Sequence, residues 1–482
     1  MITLQGLPSH LEFHFGFVRA SILLALFAGF AIAAHLAFTI GFDFQMSKGF
    51  YAFIQIHGHA QLLGWLGLLI IGISLHFIPR LTHSPIRNPL ILKRILVLLT
   101  TGLTLRILAG SVLPYLQSGA TGYYFTSTFV ALSSLFELAG ILLYTFTLIS
   151  IIRKSVKLSD AFNDVKPFFF LMFSGLLFYG LLNSVLITNM IIAEDAFLDQ
   201  NWNEILTRIF LYMTIFPIAF VFSIRLFPIF FGVKPMKNIS KYLALSYGIS
   251  VLADIVLRSA GLFGIDNQLT YFLLTVSGFF IPSLIIYLIL SLQVMKLPVI
   301  GRLAKNELTD SRRLQLPKVS LSERWSGITI KVAYLWLLFS SFLELISHFQ
   351  LFLGYDVDIG IDAIRHLQLL GFATMLVLGV GSRMLPGFIG RRGIHSGKLV
   401  VVAFWLVLTA AIFRIVPVLL PYEFIEIIPH GESVIGSMFA LSGIIGILSI
   451  AVFGWNLRQT YLSDIHLTRP MAVPLTMLQI KP

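Results

Sequence analysis

The segment that decides the fold occurs twice in this chain. It reads HAQLLGWLGLLIIGISLHFIPRL over residues 59–81 and HLQLLGFATMLVLGVGSRMLPGF over residues 366–388. The two copies align without a gap. In the first copy the shared residues include His59, Gln61, Leu62, Leu63, Gly64, Gly72 and Pro79. Each copy is apolar and long enough to cross a bilayer as one helix. The repeat therefore predicts two equivalent membrane helices, each with a histidine near its start.

The composition extends this prediction to the whole chain. Hydrophobic residues make up 57% of the sequence and charged residues 12%. Twelve apolar runs begin near residues 16, 52, 91, 123, 167, 205, 241, 269, 327, 361, 398 and 430. We therefore predict an all-α, polytopic membrane protein with twelve transmembrane helices, the first of them retained as an anchor. The absence of cysteine excludes disulfides, thiolate metal sites and iron–sulfur clusters.

The net charge of +12 follows the predicted loops. Loops after the even-numbered spans are basic, as in Arg80/Arg87/Lys93/Arg94 and Arg391/Arg392/Lys398, whereas loops after the fifth, ninth and eleventh spans are acidic. This alternation obeys the positive-inside rule. It predicts a multi-pass protein of the bacterial inner (cytoplasmic) membrane with both termini in the cytoplasm. It also makes the excess charge a topology signal and not a nucleic-acid patch.

Two landmarks divide the chain into three repeats of four helices. The sixth span, RIFLYMTIFPIAFVFSIRLFPIF from residue 208, matches the duplicated segment more weakly and has Arg208 in place of the histidine. Arg106, Arg258 and Arg414 recur deep in the third helix of each unit. We predict one integral membrane domain over 1–482 with repeats at about 15–155, 166–298 and 325–460 and a basic cytoplasmic linker at 298–326. Internal repeats are also common in transporters, so they narrow the fold more than the function.

The histidines indicate a haem site near the outer face. His59 and His366 recur in register just inside their spans, where ionisable groups are costly and usually functional. Two such imidazoles on facing helices can hold a haem iron from both sides. His57 lies about 200° around the helix from His59, so it would serve a second site or the aqueous boundary. His35 and His348 are auxiliary candidates at the same level. The alternative for any single one is an amphipathic residue at the headgroups.

The three recurrent arginines fit the same prediction. A guanidinium keeps its charge inside a span, and haem propionates would bind it in a bidentate manner. Alternatively, each arginine caps neighbouring carbonyls and holds its repeat together. Glu137 and Glu344 are the clearest carboxylates inside spans, and we expect them to pair with an arginine.

The motifs resemble those of a known family. His57-Gly-His59 followed by Leu62-Leu63-Gly64-Trp65 resembles the start of the second helix in the NnrS family. Arg365-His366-Leu367, Ser382-Arg383 and Gly387-Phe388-Ile389-Gly390-Arg391 resemble that family's later segment, which places Arg383 among the candidate cofactor residues. The resemblance implies a haem- and copper-containing inner-membrane protein of the nitric oxide response and of nitrosative stress tolerance. Phe388 stands where the family has histidine and Ala60 where it has glutamate, so copper is an alternative here and b-type haem the main expectation.

The threefold layout and the histidines of helices two and ten also resemble subunit I of haem–copper oxidases and nitric oxide reductases. That resemblance implies a shared fold and a low-spin haem on these two helices. The second metal site of those enzymes needs histidines on helices six and seven, but the chain has none between residues 84 and 347. We therefore expect no oxidase binuclear centre.

Three functions stay open at this point. The leading one is an NnrS-like haem protein, with the lipid bilayer, haem, and nitric oxide or a respiratory electron donor as partners. The alternatives are a twelve-helix transporter of an anion or metal and a divergent respiratory oxidoreductase.

Overall fold

The protein is a bundle of twelve long helices. The computed structural model describes residues 14–155, 160–231, 236, 239–265, 267–294, 319–353 and 359–463. The helices that are long and apolar enough to span a membrane are α1 Gly16–Gly41, α2 Phe50–Leu81, α3 Leu90–Tyr115, α4 Thr121–Lys154, α5 Lys166–Ile192, α6 Gln200–Pro228, α7 Ser240–Leu262, α8 Gln268–Ser291, α9 Leu321–Phe349, α10 Ile361–Phe388, α11 Gly397–Leu419 and α12 Gly431–Leu462. No strand occurs in the described ranges. The predicted all-α, twelve-span fold is confirmed. Most of the predicted linker, residues 298–318, lies outside the described residues.

Two spans begin earlier than their apolar runs because polar residues cap them. The sixth begins at Gln200, where the Asp199 carboxylate accepts hydrogen bonds from the backbone N–H groups of Asn201 and Trp202. The ninth begins at Leu321, behind a capping box in which the backbone N–H groups of Ser320 and Glu323 each donate to the other's side chain. These polar first turns hold the helix ends without adding hydropathy.

Three helices form the centre of the bundle. In the most apolar stretch of α2, 89% of residues are buried, and the corresponding values are 83% for α6 and 67% for α10. The other nine helices have between 28% and 50% of this stretch buried, as expected where one face meets lipid. The outer helices pack in chain order, and α1 packs against α12 to close the ring. The three central helices, α2, α6 and α10, are the ones that carry the repeated sequence segment.

The contact between α1 and α12 needs small residues. A Cβ on Gly443 of α12 would lie 2.3 Å from the Cα of Ala34 in α1, and one on Gly436 would lie 2.4 Å from the carbonyl oxygen of Gly41. The two backbones therefore approach each other directly, as small residues allow between membrane helices.

A π-helical stretch follows the same repeat position in each central helix. These stretches are Ala60–Gly67 after His59, Ile209–Ile215 after Arg208 and Leu367–Thr374 after His366. Such stretches are rare in general and often lie at functional sites. Their common register supports the proposal of three repeats.

Candidate functional site

Each central helix carries a group of polar residues at the same end of the bundle. We call this the upper end; it is the end at which the even-numbered helices begin. There the side chains form three groups, which we name the His59, Arg208 and His366 clusters. Each cluster lies between one central helix and the helices around it.

The His59 cluster is a buried network beside a small cavity of about 30 Å³. The Nδ1 atom of His59 lies 2.7 Å from the Tyr179 hydroxyl on α5, and its Nε2 atom lies 2.9 Å from the Glu137 carboxylate on α4. Asn183 donates to the other oxygen of Glu137 at 3.5 Å. His59 is 8% exposed and Glu137 1%. Arg106 of α3 lies within electrostatic range of Glu137 and Tyr179. Both ring nitrogens of His59 are therefore already bound.

This geometry corrects the predicted His59–His366 pair. The partners of His59 are on α4 and α5, whereas those of His366 are on α10 and α11. The two histidines are equivalent in sequence but belong to different clusters. The expectation that Glu137 pairs with an arginine is also corrected, because its closest ionic partner is His59.

The His366 cluster is more exposed than the His59 cluster, because the side chains of His366 and Asp362 are 20% and 52% exposed. The Nδ1 atom of His366 lies 2.8 Å from the backbone oxygen of Asp362 and 3.2 Å from its carboxylate. The Arg414 guanidinium donates from Nε to His366 Nε2 at 3.2 Å and from Nη2 to Asp362 at 3.4 Å. The same guanidinium lies 4.1 Å above the Phe439 ring of α12. Arg414 is thus beside the histidine, as predicted.

His57 faces the His366 cluster and not the His59 cluster. Its Nδ1 atom lies 2.8 Å from the backbone oxygen of Gly29, which ends a π-helical stretch of α1. The charges of His366, Arg414 and Asp362 all act on the His57 imidazole. The predicted opposite orientation of His57 and His59 is consistent with this arrangement, in which His57 is within electrostatic range of the His366 cluster.

The Arg208 cluster lies around a cavity of about 170 Å³. Arg208 and Arg258 both bind the buried Asp254 carboxylate, with N–O distances of 3.1 Å. The Glu344 carboxylate accepts hydrogen bonds from Tyr212 and, at 3.0 Å, from Gln368. Glu344 also differs from the expectation of an arginine partner, because its hydrogen-bond donors are a phenol and an amide. Arg258 likewise serves an internal ion pair.

The remaining predicted site residues are His35, His348 and Arg383, and they lie outside the hydrogen bonds described above for the His59 and His366 clusters. His35 contacts the edge of Phe53, with ring centroids 6.0 Å apart. His348 lines the Arg208 cavity. Arg383 lies towards the other end of α10, where it donates to the backbone oxygen of Phe230 and stacks on that ring at 4.4 Å. The structure therefore separates Arg383 from the upper-end histidines, and its cofactor role stays a prediction.

Sequence reasoning missed several partners in these clusters. Tyr179, Tyr212 and Asp254 were not predicted as site residues, although Asp254 stands four residues before Arg258, a spacing that places two side chains on one helix face. No group of three or more histidine or acidic residues within the described ranges is arranged to hold a metal ion. The copper alternative therefore has no preformed site in that part of the chain.

The fold has a known structural relative. The chain is similar to a haem–copper terminal oxidase whose dimer was solved by cryo-EM, with a TM-score of 0.63 and 13% sequence identity over 96% of this chain and 86% of the oxidase chain. No protein-family model and no curated protein sequence matches the chain. The chain thus has the haem–copper oxidase fold and is a multi-pass membrane protein. Its resemblance to the NnrS family stays a prediction.

Proposed function

We propose that this protein binds a b-type haem between α2 and α10, and that His57 and His366 would hold it. One observation carries the proposal. Both histidines present Nδ1 to a backbone carbonyl at 2.8 Å. When Nδ1 carries the proton, Nε2 keeps its lone pair, as in metal-ligating histidines whose outer nitrogen is held by a carbonyl.

The surrounding residues fit the group. Neutral imidazole is a good ligand for haem iron. Arg414 already donates to His366 Nε2, which shows that this nitrogen accepts, and its guanidinium could bind a propionate in a bidentate manner. Five helices meet around this cluster. His57 lies on α2, His366 on α10 and Arg414 on α11, while Gly29 lies on α1 and Phe439 on α12. The fold similarity to a haem–copper oxidase supports haem as the cofactor.

The ligand set favours electron transfer. His57 and His366 would both be used to hold the haem, and such a ligand set is typical of electron-transfer haems. A haem supplies one-electron chemistry, and the protein's share is ligation, propionate binding and exclusion of water. We propose a respiratory-type electron carrier in the bacterial inner membrane, with cytoplasmic termini and the haem near the outer face. Because residues 57–65 and 365–391 resemble the NnrS family, we propose that this activity serves the nitric oxide response.

The test is an absorption spectrum of the purified, full-length protein before and after dithionite reduction. We expect the spectrum of a low-spin, six-coordinate b-type haem that the double variant His57→Ala/His366→Ala loses. A protein without haem absorbance would contradict the proposal, and so would undiminished haem in the double variant.

Transport is a second candidate, favoured by the arginine-lined cavity of the Arg208 cluster. It would show as substrate-dependent flux into proteoliposomes made from haem-free protein. The leading haem proposal does not require any flux by the haem-loaded protein.

A further inference from the structure

The Arg208 cavity has the chemistry of a binding site that the proposed haem does not use. It lies between α6, α7, α8, α9 and α10, and its walls include Arg208, Arg258, Arg365, Asp254 and Glu344. Three guanidinium groups thus face two carboxylates inside the cavity. A third carboxylate, Glu204, reaches Arg208 at 3.4 Å from outside this lining, with its side chain 30% exposed.

Three of the four oxygens of the two internal carboxylates already accept hydrogen bonds. Asp254 is 2% exposed and binds Arg208 through one oxygen and Arg258 through both. Glu344 accepts from Tyr212 and Gln368 through the same oxygen. Few acceptors therefore remain for the other N–H groups in this space.

Donors, by contrast, remain free. An arginine carries five N–H donors. Arg258 uses only Nε in the hydrogen bonds seen within the described ranges, and Arg365 makes neither a hydrogen bond nor an ion pair there. The Nδ1 atom of His348, also in the cavity wall, is buried and has no partner in that part of the chain. Gly278 leaves the space for this ring, because a Cβ there would lie 2.3 Å from it.

We propose that this cavity binds a small monovalent oxyanion with planar acceptor oxygens, such as nitrite, nitrate or formate. One negative charge balances the excess of one guanidinium in the wall, and two planar oxygens match the fork of Arg258 or Arg365. The volume is sufficient for such an ion with a few waters, since one water takes about 30 Å³. The site is separate from His57 and His366.

The test is isothermal titration calorimetry of nitrite, nitrate and formate, each at constant ionic strength, into the full-length protein in detergent. We expect saturable binding at one site per chain and weaker binding of sulfate, which is larger and divalent. Arg258→Gln should weaken binding at least about tenfold, Arg258→Lys less, because lysine keeps the charge and loses the fork.

Arg106→Gln is the matched control, because Arg106 occupies the same repeat position in the His59 cluster, and it should bind the anions as the wild type does. His348→Phe keeps a ring of similar shape without the nitrogen and should bind several-fold more weakly, which tests the site if Arg258→Gln does not fold. The proposal would be overturned if the wild type showed no saturable binding. It would also be overturned if Arg258→Gln and His348→Phe both bound the anions as tightly as the wild type. The haem spectrum of each sample reports the proposed function separately.

Discussion

The His59 and His366 clusters are built around equivalent histidines of the same sequence motif, but their hydrogen-bond partners differ. In the His59 cluster both ring nitrogens are bound, to Tyr179 and Glu137, and the network is buried. In the His366 cluster one nitrogen is fixed by the residue's own helix, and the other meets only the Arg414 guanidinium. A buried network of this kind stabilises the bundle, whereas a more exposed one can accept a ligand.

The cause of the difference lies outside the motif. One helical turn before the histidines, Gln55 uses both ends of its amide on the backbone of Leu198, at 2.6 and 2.8 Å, whereas Asp362 holds His366 and Arg414. Equivalent histidines therefore take their roles from the residues one turn away and from the neighbouring helices.

Removing the carboxylate of each cluster should show the contrast most strongly. Glu137→Ala leaves His59 and Arg106 without their buried acid, and we expect a loss of about 3–5 kcal/mol in the free energy of unfolding. Asp362→Ala removes an acid whose side chain is 52% exposed, and we expect at most about 1 kcal/mol. Thermal and denaturant unfolding in detergent measure both. Equal losses would mean that the two clusters share one structural role.

The Tyr179 hydroxyl sharpens the account of the buried network. Tyr179→Phe leaves a buried His59 nitrogen without its partner, and we expect a loss of about 1–3 kcal/mol with no change in haem content. Tyr287→Phe is the control, because Tyr287 is 48% exposed and forms no comparable pair. Haem loss in Tyr179→Phe would place His59 at the iron.

The residues one turn before the histidines give the smallest effect. Asp362→Ala removes a support of the His366 ring, and we expect about tenfold weaker haem affinity, in line with other outer partners of metal-binding histidines. Gln55→Ala, at the matching position of α2, should leave haem affinity unchanged. Haem titration into the apo-protein compares the two, and a larger loss in Gln55→Ala would reverse our assignment.

Most of the fold could be predicted from hydropathy alone. All twelve spans were found because each has an apolar run of sufficient length, and ten begin within two residues of their predicted start. The sixth and ninth begin several residues earlier, because their first turns are polar and held by Asp199 and by Ser320 with Glu323. The π-helical stretches were not predicted, since they depend on packing in the centre of the bundle.

The site was harder to predict than the fold. The repeat identified His366, and the spacing of His57 and His59 showed that only one of them could face it. Which one does so depends on Glu137 and Tyr179, which lie two and three helices further along the chain, and no local pattern in the sequence joins them to His59. Pairs within one helix, such as Asp362 with His366, were accessible from their four-residue spacing.

The most direct measurement compares the haem content of His57→Ala with that of His59→Ala. Both variants are purified in parallel with the wild type, and haem is quantified per polypeptide from the reduced-minus-oxidised spectrum. We predict that His57→Ala loses the low-spin haem signal, whereas His59→Ala keeps it at wild-type occupancy but unfolds at a lower temperature. The reverse result, with haem lost from His59→Ala and retained in His57→Ala, would contradict the account.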